Sequence, residues 1–128
     1  MKCENGLVEK CDMDVSIIIL NYRSKGLLKQ AIKSIDLVNP ELEYEILVVD
    51  NASCDGSTQM VEEHFSHVRL FALDENVGFA RGNNIAIKEA QGKYIFIMNP
   101  DAMMKNGALE TLFAYMEAYP DVGLTGPK

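Results

Sequence analysis

Positive charge is scarce in this sequence. Its 128 residues include 12 Lys and Arg against 19 Asp and Glu, which gives a formal net charge of −7 and a pI of about 4.7. Proteins that bind nucleic acid or an anionic membrane surface need a basic face, so nucleic acid is not an expected partner. An anionic ligand would have to be held by backbone amides, local side chains or a metal ion.

Cysteine and long apolar runs are also scarce. The three cysteines form no C-x-x-C pair, which argues against a disulfide framework and a cysteine-based zinc site. The longest apolar stretches, Val15–Leu20 and Ile46–Val49, are far shorter than the roughly 20 residues of a transmembrane helix. Residues 1–14 show no secretory signal. The sequence therefore predicts a cytoplasmic protein without a transmembrane segment, and leaves peripheral attachment to the inner face of the membrane open.

Short segments rich in β-branched and aromatic residues alternate with segments of helical period. The predicted strands are Val15–Leu20, Glu45–Val49, Val68–Leu73 and Tyr94–Met98, and Val122–Thr125 is expected to begin a fifth. The predicted helices contain the stripe from Leu27 to Ile35, a segment capped by Ser57, Phe79–Ala90, and a segment capped by Asn106. This order predicts an α/β fold, a doubly wound and mostly parallel sheet with helices on both faces. The strand around Arg69 is expected at an edge, and the other three under helices on both faces.

Polar residues follow every predicted strand, and ligands of such sheets bind outside the carboxyl ends of the strands. The four polar segments are residues 21–23, 50–57, 74–78 and 99–101. The phosphate-binding patterns GxxxxGK[ST] and GxGxxG are missing from the expected places. A divalent cation that bridges a carboxylate and a diphosphate is the alternative. Asp101 is the candidate carboxylate, and Asn99 can offer a neutral oxygen from the same side of the chain.

Four motifs resemble, in order and spacing, the family 2 glycosyltransferases of the GT-A, Rossmann-like fold. They are DVSIIILNYR (14–23), ILVVDNASCDGS (46–57), NVGFARGNN (76–84) and GKYIFIMNPD (92–101). The likeness is nearest to the rhamnosyltransferase-like branch and covers residues 14–128. By this resemblance, residues 14–128 are the N-terminal, nucleotide-sugar-binding part of such a domain, and residues 1–13 are expected to form a loose or disordered tail.

The resemblance also implies roles for individual residues. Asn21 and Tyr22 would line the nucleobase pocket, and Asp50 would hydrogen-bond the base or ribose. Asn51 and Ser53 would shape the loop that follows Asp50. Asn76, Gly78, Asn83 and Asn84 would border the nucleotide and the donor sugar. Asn99 and Asp101 stand where the family carries its Asp-x-Asp motif, which binds Mg²⁺ or Mn²⁺. The first acid of that motif is Asn here.

The implied activity is inverting, metal-assisted transfer of a sugar, with rhamnose as one candidate, from a UDP- or dTDP-linked donor to a glycan or lipid-linked acceptor. The family's catalytic base lies on a later segment, so it is expected beyond Lys128, and the chain is interpreted as a truncated transferase that is inactive alone. Self-association through an exposed apolar face or sheet edge is a further expectation.

Two other interpretations stay open. A phosphoacceptor receiver domain shares the length, the doubly wound sheet and the acids at strand ends, but it needs an acidic pair after the first strand, where this chain has Asn21-Tyr22-Arg23. A nucleotide-binding module without catalytic activity fits the same motifs. From the residues alone, Asp101 and Asp50 could also be plain turn residues. Asp55, Gly56 and Ser57 are interpreted as structural, since they cap helices and form turns.

Overall fold

The computed structural model describes residues 12–127, so all but the last two residues of the expected tail at 1–13 lie outside the described part. The described chain forms four strands and four helices in strict alternation. Their bounds are β1 Val15–Asn21, α1 Lys25–Val38, β2 Tyr44–Asp50, α2 Ser57–His64, β3 Arg69–Ala72, α3 Phe79–Glu89, β4 Tyr94–Ile97 and α4 Ala108–Ala118. None of these helices combines the length and apolarity that crossing a bilayer requires.

The four strands form one parallel sheet in the order β3-β2-β1-β4. The first two crossovers carry the chain outward from β1, and the third returns it to the other side of β1. This confirms the predicted α/β, doubly wound sheet, with β3 at an edge. It also excludes the receiver alternative, because receiver-type sheets have the order 2-1-3-4-5 and place β1 beside β3, whereas β1 here lies between β2 and β4.

Helices cover both faces of the two central strands. On one face, Ile17, Ile19 and Val48 join a buried cluster with α1, α2 and α4. On the other face, Ile18, Leu47 and Val49 are buried with Ala86 of α3. Because successive side chains of a strand point to opposite faces, a nearly continuous apolar run is what two covered faces require. Gly82 lets α3 approach β1, since a Cβ there would lie 2.6 Å from Leu20 Cδ1.

The expectation that β4 is covered on both faces is wrong. Phe96 packs against the main core, but Ile95 and Ile97 on the α3 side are 39% and 46% exposed. These side chains are exposed because α3 packs against β1 and β2 and does not cover this face of β4. Within the described residues, β4 pairs with β1 on one side.

Three further local predictions are corrected. Val122–Thr125 forms no strand in the described structure. The N-caps of α2 and α4 are Gly56 and Gly107, not Ser57 and Asn106. Both glycines have positive φ, 85° and 74°, a conformation that side chains with a Cβ rarely adopt. Glycine is therefore favoured over the better hydrogen-bonding cap residues.

A polar network closes the amino end of the sheet, opposite the predicted ligand edge. The Glu45 carboxylate accepts hydrogen bonds from Ser16 Oγ (2.7 Å), the Gln91 amide (2.7 Å) and Arg69 Nη1 (2.9 Å). Its side chain is 9% exposed. The Gly92 amide in turn donates to Ser16 Oγ at 2.8 Å. This network fixes the turn between α3 and β4 to the start of β1 and β2.

The network makes stability depend on pH through Glu45. Burial raises the Glu45 pKa, but the hydrogen bonds from Ser16, Gln91 and Arg69 outweigh burial and leave the pKa below its ordinary value. A lowered folded-state pKa contributes stability that is present above the unfolded pKa of roughly 4.3 and is lost as pH falls through the folded-state value. We expect Glu45→Gln to cost about 1–2 kcal/mol at pH 7, and the gap from wild type to narrow as the pH falls below the unfolded-state pKa of Glu.

Urea unfolding of wild type and Glu45→Gln between pH 7 and pH 3 measures this gap. Glu89→Gln is the matched control, because Glu89 approaches Arg69 only to 3.9 Å and is 58% exposed; its effect should stay small at every pH. A gap between wild type and Glu45→Gln that keeps the same size at pH 7 and pH 3 would contradict the assignment.

Candidate nucleotide-sugar site

The sheet order fixes where a ligand site is expected. Strands β1 and β4 are neighbours, but the crossovers that follow β1 and precede β4 run on opposite faces of the sheet. A crevice opens outside the carboxyl ends of two strands related in this way, and it is the usual ligand site of an open α/β sheet. Because all strand pairs are parallel, the loops after all four strands begin at this edge, which we call the carboxyl rim.

Asn21, Asp50 and Ser53 form a buried hydrogen-bonded triad at the rim. Register pairs Asn21 with Asp50 at the ends of β1 and β2. Asp50 Oδ1 accepts from Asn21 Nδ2 at 2.9 Å and from Ser53 Oγ at 2.6 Å, and Asp50 Oδ2 accepts from the Ser53 amide at 3.0 Å. The three residues are at most 3% exposed. Both oxygens of the Asp50 carboxylate are thus engaged within the protein.

The triad also holds strained backbone in place. Arg23, Ala52 and Cys54 have φ of 52°, 59° and 53°, a left-handed region that residues other than glycine rarely occupy without support. Ser53 Oγ accepts the Arg23 amide at 2.9 Å, which ties the β1 loop to the β2 loop. Strain held by the surrounding structure is common at ligand sites.

Tyr22 presents an aromatic ring at the rim. Its side chain is 43% exposed, and the Arg23 guanidinium carbon lies 5.1 Å from the ring centroid. An exposed ring of this kind can stack on a nucleobase, as can an arginine plane. The preceding residue, Asn21, is buried, and its Oδ1 has no hydrogen-bond partner among the described residues.

Asn51 joins the rim loops that follow β2 and β3. Its Oδ1 accepts the Val77 amide at 2.8 Å, and its Nδ2 donates to the Gly78 carbonyl at 3.3 Å. Asn76 Oδ1 accepts the Gly78 amide at 2.9 Å. Gly78 has φ 84° and is the N-cap of α3, so these contacts set where α3 begins.

The two asparagines of α3 differ in position. Asn83 is 3% exposed; its Nδ2 donates to the Phe79 carbonyl at 3.0 Å, and its Oδ1 has no partner among the described residues. Asn84 and Arg81 are exposed. A ligand above the rim can therefore meet Asn84 more directly than Asn83.

Asn99 and Asp101 lie on the turn after β4, and both are exposed. The Ala102 amide donates to the Asn99 carbonyl at 3.0 Å, and the Met104 amide donates to Ser34 Oγ at 2.8 Å, so the loop is fixed at its base. One carboxylate and one amide oxygen suit a hard cation such as Mg²⁺ or Mn²⁺, which often takes one or two protein carboxylates together with substrate phosphates. In residues 12–127, no group of three or more His, Cys, Asp or Glu is placed to hold a metal. The donors fit a cation only when a ligand supplies further oxygens.

The sequence predicts a structural role for Asp55 but does not indicate which residues it contacts. Asp55 Oδ1 accepts hydrogen bonds from the Ser57 hydroxyl and the Ser57 amide, and the Lys25 amide also favours the charged carboxylate. Burial raises the Asp55 pKa, but these hydrogen bonds outweigh burial and leave the pKa lowered. The carboxylate thus caps the N-terminus of α2 and also interacts with Lys25, the first residue of α1. The D-G-S sequence signals a cap for α2, but no local signal identifies α1 as the second helix.

Comparison with known proteins decides the family. The model of the family described as glycosyl transferase family 2 matches residues 16–127. The chain belongs to this family. The match covers the sheet except its first residue, and all four rim loops, so the triad, the Asn51 contacts and the Asn99–Asp101 turn belong to a family 2 glycosyltransferase domain.

Similar proteins give the same family and fold. A cholesterol galactosyltransferase of Borreliella burgdorferi is 32% identical over 103 residues, 77% of this chain and 28% of that protein. Among solved structures, Staphylococcus aureus TarS superposes with a TM-score of 0.71 at 25% identity, covering 83% of this chain and 20% of TarS. A mannosyltransferase from Pyrobaculum calidifontis, solved with GDP-Man and Mn²⁺, gives 0.72 at 25% identity, covering 80% of this chain and 32% of that one. The chain therefore has the GT-A fold and spans a minor part of the length of these relatives.

Proposed function

We propose that residues 14–128 bind the nucleotide-sugar donor of a family 2 glycosyltransferase at the carboxyl rim. The main observation behind the proposal is that hydrogen bonds connect the rim loops. The buried triad joins the loops after β1 and β2, at the edge where doubly wound sheets bind their ligands. A site built in this way costs little reorganisation when a ligand binds, because the loop positions are already set.

The nucleobase of the donor is proposed to bind to the loops that follow β1 and β2. Tyr22 supplies the exposed ring for stacking. Asn21 is fully buried, so its role in this proposal is to line the base pocket and to hold Asp50 and Ser53 in place. The Asp50 carboxylate accepts three hydrogen bonds from Asn21 and Ser53, so its role in this proposal is to hold these neighbours in place. One lone pair of Oδ2 is left for a contact to the base or ribose.

The diphosphate is proposed to lie between the start of α3 and the Asp101 turn. Asp101, with Asn99, would hold a Mg²⁺ or Mn²⁺ that also binds the phosphates, and the exposed Asn76, Gly78 and Asn84 would border the phosphates and the sugar. A bound cation would stabilise the negative charge on the departing nucleoside diphosphate. The mannosyltransferase solved with GDP-Man and Mn²⁺ supports divalent metal use in this fold.

The finer identity of the reaction is also a proposal. Asn in place of the first acid of the metal motif favours the rhamnosyltransferase-like branch, and with it a UDP- or dTDP-linked donor and a glycan or lipid-linked acceptor. Inverting transfer needs a general base for the acceptor hydroxyl; we assign no residue of the described part to that role. A nucleotide-binding module without transfer activity would use the same rim.

Titration of the isotope-labelled chain with UDP in the presence of Mg²⁺, which is diamagnetic and leaves amide signals sharp, tests the proposal when followed by amide NMR. We expect shifts in residues 21–23, 50–54, 76–84 and 98–101, and none at Glu45 or Gly92 at the opposite end of the sheet. Parallel titrations with GDP and dTDP compare the affinity of the site for the three nucleobases. Tyr22→Ala should weaken UDP binding at least about fivefold, the low end for loss of one stacking partner. The matched control is Tyr119→Ala, since Tyr119 is 55% exposed beyond the far end of α4.

Two results would reject the proposal. One is the absence of binding by UDP, dTDP and GDP at millimolar concentration. The other is a set of shifts centred away from the four rim loops. Equal losses in Tyr22→Ala and Tyr119→Ala would reject the stacking role of Tyr22 alone.

A further inference from the structure

Asn51 has both polar atoms of its side chain committed to a loop 26 and 27 residues away in sequence. The contacts go to the Val77 amide (2.8 Å) and the Gly78 carbonyl (3.3 Å), the two residues immediately before α3. Asn51 itself is 3% exposed, and its amide donates to the Asn21 carbonyl at 2.9 Å. One buried residue therefore connects β1, β2 and the start of α3.

Within the described part of the chain, the loop that Asn51 contacts has few other hydrogen bonds at its α3 end. The hydrogen bond from the Gly78 amide to Asn76 Oδ1 is internal to the loop. The Leu73 amide bonds the Asp50 carbonyl at 2.9 Å, but this fixes the end of the loop next to β3. Gly78 adopts φ 84°, and Asn76 and Gly78 are exposed. The position of these exposed groups over the rim thus depends on the Asn51 side chain.

We propose that Asn51 is a positioning residue, a latch that holds the β3–α3 loop and the start of α3 over the donor site without itself contacting the donor. This inference rests on the proposed function, because the site it organises is the proposed nucleotide-sugar site. The reason is geometric: both side-chain functional groups of Asn51 are already bonded to the loop, and little of its surface is left for a ligand. Its effect on donor binding is exerted through the residues of that loop.

The experiment compares UDP affinity, thermal stability and Val77 amide exchange in wild type, Asn51→Ala, Asn51→Asp and Ser16→Ala. Asn51→Asp keeps an oxygen that can accept from the Val77 amide and removes the donor to the Gly78 carbonyl. Ser16→Ala is the matched control, because Ser16 is fully buried and accepts a loop amide, that of Gly92, at the opposite end of the sheet.

We expect Asn51→Ala to weaken UDP binding about tenfold or more, the range for losing a buried pair of hydrogen bonds, with Asn51→Asp between it and wild type. We expect Val77 amide exchange to be slow in wild type, because the amide donates to Asn51 Oδ1, and to become fast in Asn51→Ala. Ser16→Ala should lower stability and leave UDP affinity unchanged.

Three results would overturn the inference. The first is that Asn51→Ala binds UDP as tightly as wild type does. If Asn51→Ala does not fold, the same comparison is made with Asn51→Asp. Losses of UDP affinity in Asn51→Ala and Ser16→Ala that both follow their losses of stability would reduce Asn51 to a structural residue. Wild type that binds no nucleotide, while Val77 exchange still depends on Asn51, would reject the proposed function and leave a purely structural latch.

Discussion

Asp50→Ala is expected to lower the free energy of unfolding by about 3 kcal/mol or more and to abolish UDP binding. The substitution removes the acceptor of three hydrogen bonds, from Asn21 Nδ2, Ser53 Oγ and the Ser53 amide. These donors stay buried, and each buried donor left without a partner costs about 1–3 kcal/mol. The strained residues Ala52 and Cys54 then lose the contact that holds their loop, so the base site opens as well.

Urea unfolding and UDP titration of wild type, Asp50→Ala and Asp50→Asn measure both effects. Asp50→Asn should fall between the other two, because it keeps one oxygen acceptor and turns the other atom into a donor that faces the Ser53 amide. The matched control is Asp36→Ala, since Asp36 forms a half-exposed pair with His67 and should cost under about 1 kcal/mol. An Asp50→Ala protein as stable as Asp36→Ala would contradict the role of the triad.

The fold was largely predictable because its signals are local. Strands β1 and β2 are nearly continuously apolar, and strands covered on both faces require that pattern. Strand β4 has the same pattern, yet Ile95 and Ile97 are exposed. Composition cannot separate the two cases, because exposure here depends on which strands α3 lies across. The predicted N-caps of α2 and α4 were wrong for a related reason. The turns before these helices need a residue with positive φ, and this requirement outweighs the preference for Ser57 and Asn106 as hydrogen-bonding caps.

The candidate site was predictable as a set of loops but not as a set of contacts. Parallel strands bring their carboxyl ends to one edge, so the position of Asn21, Asp50 and Asp101 at the rim follows from the fold class. That Asp50 bonds Asn21 depends on the pairing register of β1 and β2, which local sequence does not specify. The Asn51 contacts with Val77 and Gly78 depend on the path of a loop. Whether Asn83 meets a ligand stays a prediction, and its burial makes Asn84 the better first test.

Asp101→Asn is expected to remove most of the gain in UDP affinity that Mn²⁺ provides, about tenfold or more. Asp101 is the single carboxylate of the Asn99–Asp101 turn, and a hard cation shared with a diphosphate needs at least one such anionic ligand. Stability should change by less than about 0.5 kcal/mol, because Asp101 is exposed and surface substitutions of this kind are nearly neutral.

The central proposal is that this acidic chain binds a diphosphate at the carboxyl rim through a cation at Asp101, not through a basic cluster. Calorimetric titration of UDP with Mn²⁺ and with EDTA, into wild type, Asp101→Asn and the control Asp121→Asn, tests it most directly. We predict that Mn²⁺ tightens UDP binding in wild type and in Asp121→Asn, an exposed acid beyond α4, but has little effect in Asp101→Asn. UDP binding of equal strength in Mn²⁺ and EDTA, or a Mn²⁺ effect that survives in Asp101→Asn, would contradict the proposal.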